Sequence, residues 1–588
     1  MDDRATLMRP VDASLAHLLR RRAEAQPDRL AYRAVAPGGG QGESLTFGEL
    51  DARAREFAAG LLALGAPGDR VALLLPNGLD WIVAYLGSSY AGTVAVPLAY
   101  PVFEHTFRKT AAYVLPMIKS AAPVVTVTTP KALEVISEDI AFGRCGTVAD
   151  ISVPGADVDT ANFPGREDLC LLQYTSGSTT QPRGVMLTHS NVLHNLAQLA
   201  QLGRIDTRAW EPEDSKVVSW LPLFHDMGLA MAMFALQVGG GCHLLTPGMF
   251  LVRPMSWLET ISDVGAQFSG CPNFGYAHCV DRIEPAERDR LDLSKWELGL
   301  NAAEPVRADT VRRFTEFFAP AGYRASTMTP SFGLAEATVF CTGLHGDAEP
   351  LILRLDPDAL LEGDVIFSDR ADAVEAVGCG HLPEYLTVRI VNHELGVPAL
   401  PGRVGEIWLH GENVGRGYWQ HPEATRATFG GTLPRDGRAY LRTGDLGFLH
   451  NGQLFVAGRL KDLIIVKGQN HQPHDIEHTA GQCHPDIEPR KCAAFMLDPT
   501  TDTRLVVAAE LTADAWTMLA SEGQAELCDR IERAIRAAVK KKHGLKVDTV
   551  ALLCPGSIPF TTSGKVQRGL SRQHFIKGHW SLLAAQHA

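Results

Sequence analysis

The sequence predicts an α/β protein of at least two domains, and three observations carry that expectation. The 588 residues exceed what a single hydrophobic core usually supports. Helix-period and strand-period patterns alternate through the N-terminal part. With 45% hydrophobic residues and 55 glycines, the chain has material for cores and many turns and lacks the bias of a disordered or fibrous protein.

The elements follow in order. "PGGGQGE", near Gly38, reads as a surface loop. "LTFGELDARAREFAAGLLALGAPGDRVALLLPNG" opens with Thr46 and Glu49 at capping-box spacing. It places Leu50, Ala54, Phe57, Ala58, Leu61 and Leu62 on one helix face and stops at Gly65. The strand that follows, Val71 to Pro76, is apolar throughout, as buried parallel strands are. "WIVAYLGSSYAG" and then "TVAVPL" repeat the helix-strand rhythm, and "GVMLTHSNVLHNL" reads as a strand end followed by a helix beginning near Thr188. "GLAMAMFALQVGG", from Gly228, is shorter than the roughly 18 apolar residues of a membrane span and reads as a buried helix. "AELCDRIERAIRAAVKKKHG" is a helix near the other end. A domain boundary is expected at Leu460-Lys461, where the text turns charged, giving domains 1–459 and 460–588.

Charge and cysteines narrow the class. The net charge of −12 is diffuse, which argues against nucleic acid as the main partner. The 11 cysteines, from Cys145 to Cys554, show neither a CxxC pair nor zinc-ligand spacing and read as reduced cytosolic thiols. "MDDRATLMRP" has no signal-type apolar core and no span is found, so a cytoplasmic protein without a membrane span is expected.

Five segments carry candidate chemistry. "YTSGSTTQPRG", residues 174–184, is rich in small and hydroxylated residues, so backbone N–H groups and hydroxyls can approach an oxyanion; it is either a phosphate loop or a flexible turn. It is not a Walker loop, since Gly184 is followed by Val185, Met186 and Leu187. In "SWLPLFHDMGL", His225 beside an aspartate is a core pair or a site residue. In "NAAEPV" and "MTPSFGLAEAT", Glu336 stands among small and apolar neighbours and needs a cation or donor, which magnesium would satisfy; a surface glutamate at a helix start is the other reading. Asn451-Gly452 is a strong hairpin signal. Counting outward from it pairs His450 with Gln453 and sets Asp445 opposite Gly458, beside Arg459, delivering an acid and a base to one hairpin end. They suit ribose hydroxyls and phosphate, or they bridge each other. Lys565, in "IPFTTSGKVQR", is a solvated turn lysine or a mobile catalytic one. Together, a phosphate loop, a metal carboxylate, a ribose acid and a mobile lysine are what nucleotide-dependent activation of a carboxylate requires.

In this order the segments resemble the adenylate-forming superfamily of acyl-CoA synthetases, peptide-synthetase adenylation domains and luciferases, from Thr46 to Arg568. "SWLPLFHDMGL", "CPNFGY", "NAAEPVRADT", "FGLAEAT" and "GRLKDLIIVKGQNHQPHDIE" are most similar to its fatty acyl-AMP ligases. The resemblance implies an α/β fold with a large N-terminal adenylate-forming domain of βαβ layers carrying a β-rich subdomain, plus a small mobile α+β C-terminal domain. It implies an insertion at about 342–378 that braces the two domains.

It also implies roles. Thr175, Ser176, Gly177, Ser178 and Thr179 would hold ATP phosphates; Ala303, Glu304, Ser331, Phe332 and Gly333 would complete the ATP site, with Phe332 near adenine. Asp445 would take the ribose and Arg459 a second nucleotide contact. Lys565, Glu336 and His225 would be catalytic, Glu336 as the magnesium ligand, and Lys461 would be the hinge. Asn273, Phe274, Gly275 and Met227 would shape the acyl site. The cofactors implied are ATP and Mg²⁺. The partners implied are a fatty acid and the phosphopantetheine arm of an acyl carrier protein, in lipid, polyketide or lipopeptide biosynthesis. Coenzyme A as acceptor, or an amino acid as substrate, are the alternatives. The chain departs from the family wording at Arg183, where lysine is common, at Thr180 and Ala302, where glycine is common, and at Gly275, where alanine is more usual.

Overall fold

The computed structural model describes residues 12–580, apart from 104–105, 137–141, 176–181, 203–214, 345–347, 467–468, 499–501, 520–523 and 562–563. Its N-terminal part holds two sheets. One has six strands in the order Cys145–Gly146, Val125–Thr128, Arg70–Leu74, Val94–Pro97, Leu169–Thr175 and Arg183–Thr188. Its pairs are parallel except the last, which is an antiparallel hairpin matching Thr175 with Arg183.

The helix Phe47–Leu64 packs against the helix Leu79–Tyr90 and begins as its sequence predicts. The Thr46 hydroxyl accepts from the Glu49 N–H, and the Glu49 carboxylate accepts from the Thr46 N–H. Leu50, Ala54, Phe57, Ala58 and Leu61 are buried, whereas Leu62 is 41% exposed. At 100° per residue Leu62 lies about 120° round from Leu50, beyond the edge of the buried stripe. The strand expected to reach Pro76 ends at Leu74. The "PGGGQGE" loop is a hairpin tip, with Gly38, Gly39 and Gly40 all at positive φ, and its end already belongs to the strand Gln41–Thr46.

The second sheet changes character midway. From Met328–Gly333 through Leu298–Asn301, Phe268–Cys271, Lys216–Ser219 and Gly241–Leu244 to Leu30–Val35 its pairs are parallel. On the other side of Met328–Gly333, the strands Phe340–Gly343, Val374–His381, Gln453–Arg459, Asp436–His450 and Gly405–His410 pair antiparallel. This antiparallel half is the expected β-rich subdomain. Met328–Gly333 is therefore the strand where the pairing switches from parallel to antiparallel, and its carboxyl end lies on the side where open α/β sheets bind ligands.

The residues after Lys461 build separate cores. Strands Ile487–Asp498, Asp502–Leu511 and Thr549–Leu553 form a three-stranded sheet. Period-two alternation sends Cys492, Ala494, Met496, Val507 and Ala509 to one face, against Ile531 and Ile535 of the helix Gln524–His543. It sends Ala493, Phe495, Val506 and Ala508 to the other, with Trp580. The helix Asp226–Val238, read from sequence as buried, has its apolar residues in the main core. Among the described residues no helix is long and apolar enough to cross a membrane, and all eleven cysteines are free.

Candidate active site

A cleft of about 2220 Å³ separates the two parts, lined by Thr175, His225, Met227, Asn273, Phe274, Ala303, Glu304, Ser331 to Gly333, Glu336, Asp445, Arg459, Lys461 and Lys565. The structure thus gathers into one cleft residues scattered over most of the sequence. Ser176, Gly177, Ser178 and Thr179 lie outside the described residues.

Glu336 is delivered by the end of the switch strand. Gly333 makes the approach possible: a Cβ there would lie 1.6 Å from the Val339 carbonyl oxygen. Past Glu336 the backbone reverses through Thr338, at φ 69° and ψ −58°, with the Val339 N–H donating to the Ala337 carbonyl at 2.8 Å. That is a γ-turn of the rare, strained hand, placed on a β-branched residue. Its surroundings hold it there. The Thr338 hydroxyl donates to the Asn413 carbonyl at 2.7 Å. The buried Asn195 amide brackets Phe340, accepting from its N–H at 3.2 Å and donating to its carbonyl at 2.7 Å. One Glu336 oxygen accepts the Tyr418 hydroxyl at 2.7 Å. Burial and the facing carboxylate push the Tyr418 phenol well up, so it remains a donor at physiological pH.

Asp445 and Arg459 come from the hairpin whose turn, Asn451-Gly452, has φ of 49° and 73° as a type I′ turn demands. His450 pairs with Gln453 as counted, yet Asp445 stands opposite Arg459 rather than Gly458. A bulge causes the shift: Leu446 pairs with Gly458 and Gly447 with Val456, leaving Ala457 as an extra residue on the returning strand. Arg459 Nε donates to Asp445 Oδ1 at 2.9 Å, and Asp445 is the main influence raising the guanidinium pKa.

The other wall starts at His225, which precedes the helix Asp226–Val238 and brings Nδ1 to 2.6 Å from Asp226 Oδ1. Burial pushes the Asp226 carboxyl up, but His225 and Lys565 more than offset it and hold it below its ordinary value. Glu304 accepts from the Phe274 N–H at 2.5 Å, and burial raises its pKa. Ala303 beside it takes φ 68°, an uncommon conformation for a residue with a Cβ. The Asn273 side chain accepts from the Arg307 N–H at 3.1 Å and donates to Thr310 at 3.2 Å, so its amide braces the start of the helix Ala308–Phe318. Gly275 does not line the cleft. A Cβ there would lie 2.5 Å from Cys271 Sγ and 3.2 Å from the Trp220 ring, so it serves close packing.

Lys565 enters from the C-terminal part on a tight turn, where the Thr561 N–H donates to the Lys565 carbonyl at 2.7 Å. Burial and Arg459 draw its ammonium below the ordinary lysine value, against the pull of Asp226, Asp445 and Glu304. Lys461 stands in the one-turn helix Leu460–Asp462, its pKa lowered by burial and by Arg459. Arg568 fastens that turn to the C-terminal part, donating to Asp462 at 3.0 Å and to both oxygens of Glu477 at 2.7 and 2.6 Å. Across the cleft Arg307 donates to the His474 carbonyl at 3.1 Å and Arg490 to the Phe274 carbonyl at 3.2 Å.

Tyr418, Arg307 and Asn195 carry no sequence signal that points to the site. Tyr418 sits in "VGRGYWQ", where an aromatic after Gly-Arg-Gly looks like any loop residue. Only the pairing of this segment with strand Arg183–Thr188 carries it to the site.

Comparison with known proteins agrees with this geometry. Residues 19–419 match the AMP-binding enzyme family, and residues 461–585 match the AMP domain described as Disco-interacting protein 2-like. The chain is 37% identical over 576 residues to the putative fatty-acid–CoA ligase FadD21 of Mycobacterium tuberculosis, covering 95% of this chain and 97% of that protein. It is 35% identical over 587 residues to the medium-chain-fatty-acid–[acyl-carrier-protein] ligase JamA of Moorena producens, covering 97% and 96%. The fatty acyl-adenylate ligase of L. pneumophila, solved with acyl adenylate and pyrophosphate, superposes with a TM-score of 0.72 at 33% identity, covering 97% of each chain. The chain belongs to the AMP-binding enzyme family, in its fatty acyl-AMP ligase branch.

Proposed function

We propose that this chain activates a fatty or related carboxylic acid with ATP and hands the acyl group to the phosphopantetheine thiol of an acyl carrier protein. A carboxylate oxygen attacks the α-phosphorus, the bond to the β-phosphate oxygen breaks, and pyrophosphate leaves. The carrier thiol then attacks the acyl carbon, releasing AMP.

The observation that carries this reading is the convergence of Lys565 with Asp445, Arg459 and Glu304 in one cleft, from opposite sides. Two anions must meet in the first step, so a fixed ammonium between carboxylate and α-phosphate lowers the barrier. Asp445 takes the ribose hydroxyls, while Arg459 both orients Asp445 and faces phosphate. Phe332, on the switch strand, supplies an apolar face for the base.

Glu336 fits a divalent cation. It lines the cleft and accepts from the neutral Tyr418 hydroxyl, with Arg459 and Lys461 in its electrostatic field. Among the described residues no group of three or more His, Cys, Asp or Glu could hold a metal alone. A site made of one carboxylate plus substrate phosphates is how Mg²⁺ is usually bound. Bound there, Mg²⁺ neutralises phosphate charge; the protein's part is to hold the Glu336 carboxylate in place.

The pivot between half-reactions lies at Lys461, with domains 1–459 and 460–588. The separate cores beyond Lys461 and the Arg568–Asp462 link support this, because they make Asp462 travel with the C-terminal part. The insertion at about 342–378 braces the two, as its helix Pro357–Leu361 packing against strand Gln469–His471 supports.

The acceptor has a second reading, free coenzyme A, because the FadD21 relative is named a CoA ligase. One experiment tests both: incubate the full chain with ATP and a fatty-acid series, then offer coenzyme A or a phosphopantetheinylated carrier protein. Acyl-AMP formation with transfer only to the carrier is expected. Efficient acyl-CoA production moves the acceptor to coenzyme A, and no acyl-AMP from any carboxylic acid overturns the activity.

A further inference from the structure

We propose that Tyr418 is a positioning residue that holds the Glu336 carboxylate for the metal-nucleotide, and that Arg183 acts on the site through the Tyr418 ring rather than by touching the nucleotide. This inference rests on the reading of Glu336 given above.

The first observation is a two-point grip. The segment that carries Tyr418 donates twice to Glu336: from the Gly415 N–H to the Glu336 carbonyl at 2.9 Å, and from the Tyr418 hydroxyl to one carboxylate oxygen at 2.7 Å. Backbone and side chain are thereby fixed by one rigid piece. That piece is anchored in turn. The Trp419 N–H donates to the Gly184 carbonyl at 2.8 Å, Met186 to Gly417 at 2.9 Å and Arg416 to Met186 at 2.9 Å. Tyr418 is 6% exposed and meets Phe429 edge-on at 5.3 Å. Its N–H donates to Thr425 at 2.9 Å.

The second observation settles where Arg183 goes. Its guanidinium lies 5.4 Å from the Tyr418 ring centroid, in cation–π range. A cation over the ring draws density from the phenol and strengthens its O–H as a donor to a carboxylate. Arg183 also pairs with Thr175, so the two ends of the hydroxyl-rich loop and the Glu336 carboxylate share one framework. A lysine at position 183 would present a compact charge to phosphate; an arginine suits the cation–π contact with the Tyr418 ring.

The test uses the full chain, with Tyr418→Phe, Arg183→Met, the double variant and Glu336→Gln. Two readouts are taken: the Mg²⁺ concentration that half-saturates fatty-acid-dependent pyrophosphate exchange, and Mn²⁺ binding, by electron paramagnetic resonance, in the presence of α,β-methylene ATP. Tyr418→Phe keeps the ring packing and is expected to raise the half-saturating Mg²⁺ about tenfold, the effect of losing one hydrogen bond to a charged group. Mn²⁺ binding weakens in parallel, while the KM for ATP at saturating Mg²⁺ holds. Arg183→Met shifts both in the same direction by less, and the double variant is no worse than Tyr418→Phe alone. The Arg183 part is overturned if Arg183→Met raises the KM for ATP at saturating metal and adds to Tyr418→Phe. If Glu336→Gln shifts both metal readouts and Tyr418→Phe shifts neither, the positioning role is overturned while the metal reading stands. If Glu336→Gln shifts neither, the metal reading falls and this inference with it.

Discussion

Asp445 and Arg459 face each other directly across the hairpin, with Arg459 Nε 2.9 Å from Asp445 Oδ1, because a bulge at Ala457 slips the register by one residue. In the unslipped register Arg459 would sit one place beyond Asp445, pointing to the opposite face of the sheet. Asp445 is buried and Arg459 half-exposed, so the carboxylate depends on the guanidinium more than the reverse. Asp445→Asn is expected to raise the KM for ATP by roughly ten- to a hundredfold, the range for losing charge-assisted hydrogen bonds. The melting temperature should change little. An unchanged KM for ATP in steady-state exchange would remove Asp445 from the nucleotide site.

Lys565→Ala should slow acyl-AMP formation by roughly two to three orders of magnitude, as removal of one transition-state charge stabiliser does. Transfer from pre-formed acyl-AMP to the acceptor should be nearly unaffected, because that step needs no ammonium at the α-phosphate. Rapid-quench single turnover separates the steps. Equal losses in both would show that the variant damages the cleft as a whole.

The pH dependence has a defined sign. Lys565 must be protonated to bridge two anions, and its pKa is drawn below the ordinary lysine value of about 10.4 by burial and Arg459. Adenylation is therefore expected to fall as pH rises through that lowered pKa, earlier than a solvated lysine would allow. Lys565→Arg should retain partial activity and push the alkaline limb upward, since guanidinium does not titrate there. A limb that stays put in Lys565→Arg belongs to another group.

Much of this was legible in the sequence where signals are local. The capping box at Thr46 and Glu49, the type I′ turn at Asn451-Gly452 and the hydrophobic helix after Asp226 each depend on a few adjacent residues. What stayed hidden depends on chain crossings. The bulge slips a register that alternation alone cannot locate, although glycines at 447 and 458 bracket it and strand glycines mark such places. Tyr418 reaches Glu336 only because its segment lies along Arg183–Thr188. The close packing at Gly275, where a Cβ would meet Cys271 and Trp220, likewise depends on Trp220, far away in the sequence.

The strained turn after Glu336 yields the last prediction. Gly333 has no room for even one methyl, with a notional Cβ 1.6 Å from the Val339 oxygen, while Thr338 is held at φ 69° by Asn413 and by the clamp of Asn195 on Phe340. Strain at such a position persists only when the surroundings over-determine it. Asn195→Leu removes both hydrogen bonds to a buried backbone unit and should cost about 1–3 kcal/mol of stability by urea unfolding. It should also raise the half-saturating Mg²⁺, because a relaxed turn swings the Glu336 carboxylate away from its place. Thr338→Gly discriminates between the two effects. Glycine accepts positive φ and so relieves the strain and frees the turn at once, but it also removes the hydroxyl bond to Asn413 and adds unfolded-chain entropy. Relief of strain and loss of that bond oppose each other, so stability should stay within about 1 kcal/mol of wild type while the metal requirement rises. If Thr338→Gly leaves the metal requirement at the wild-type value, the γ-turn is a packing solution and the carboxylate is placed by Tyr418 alone.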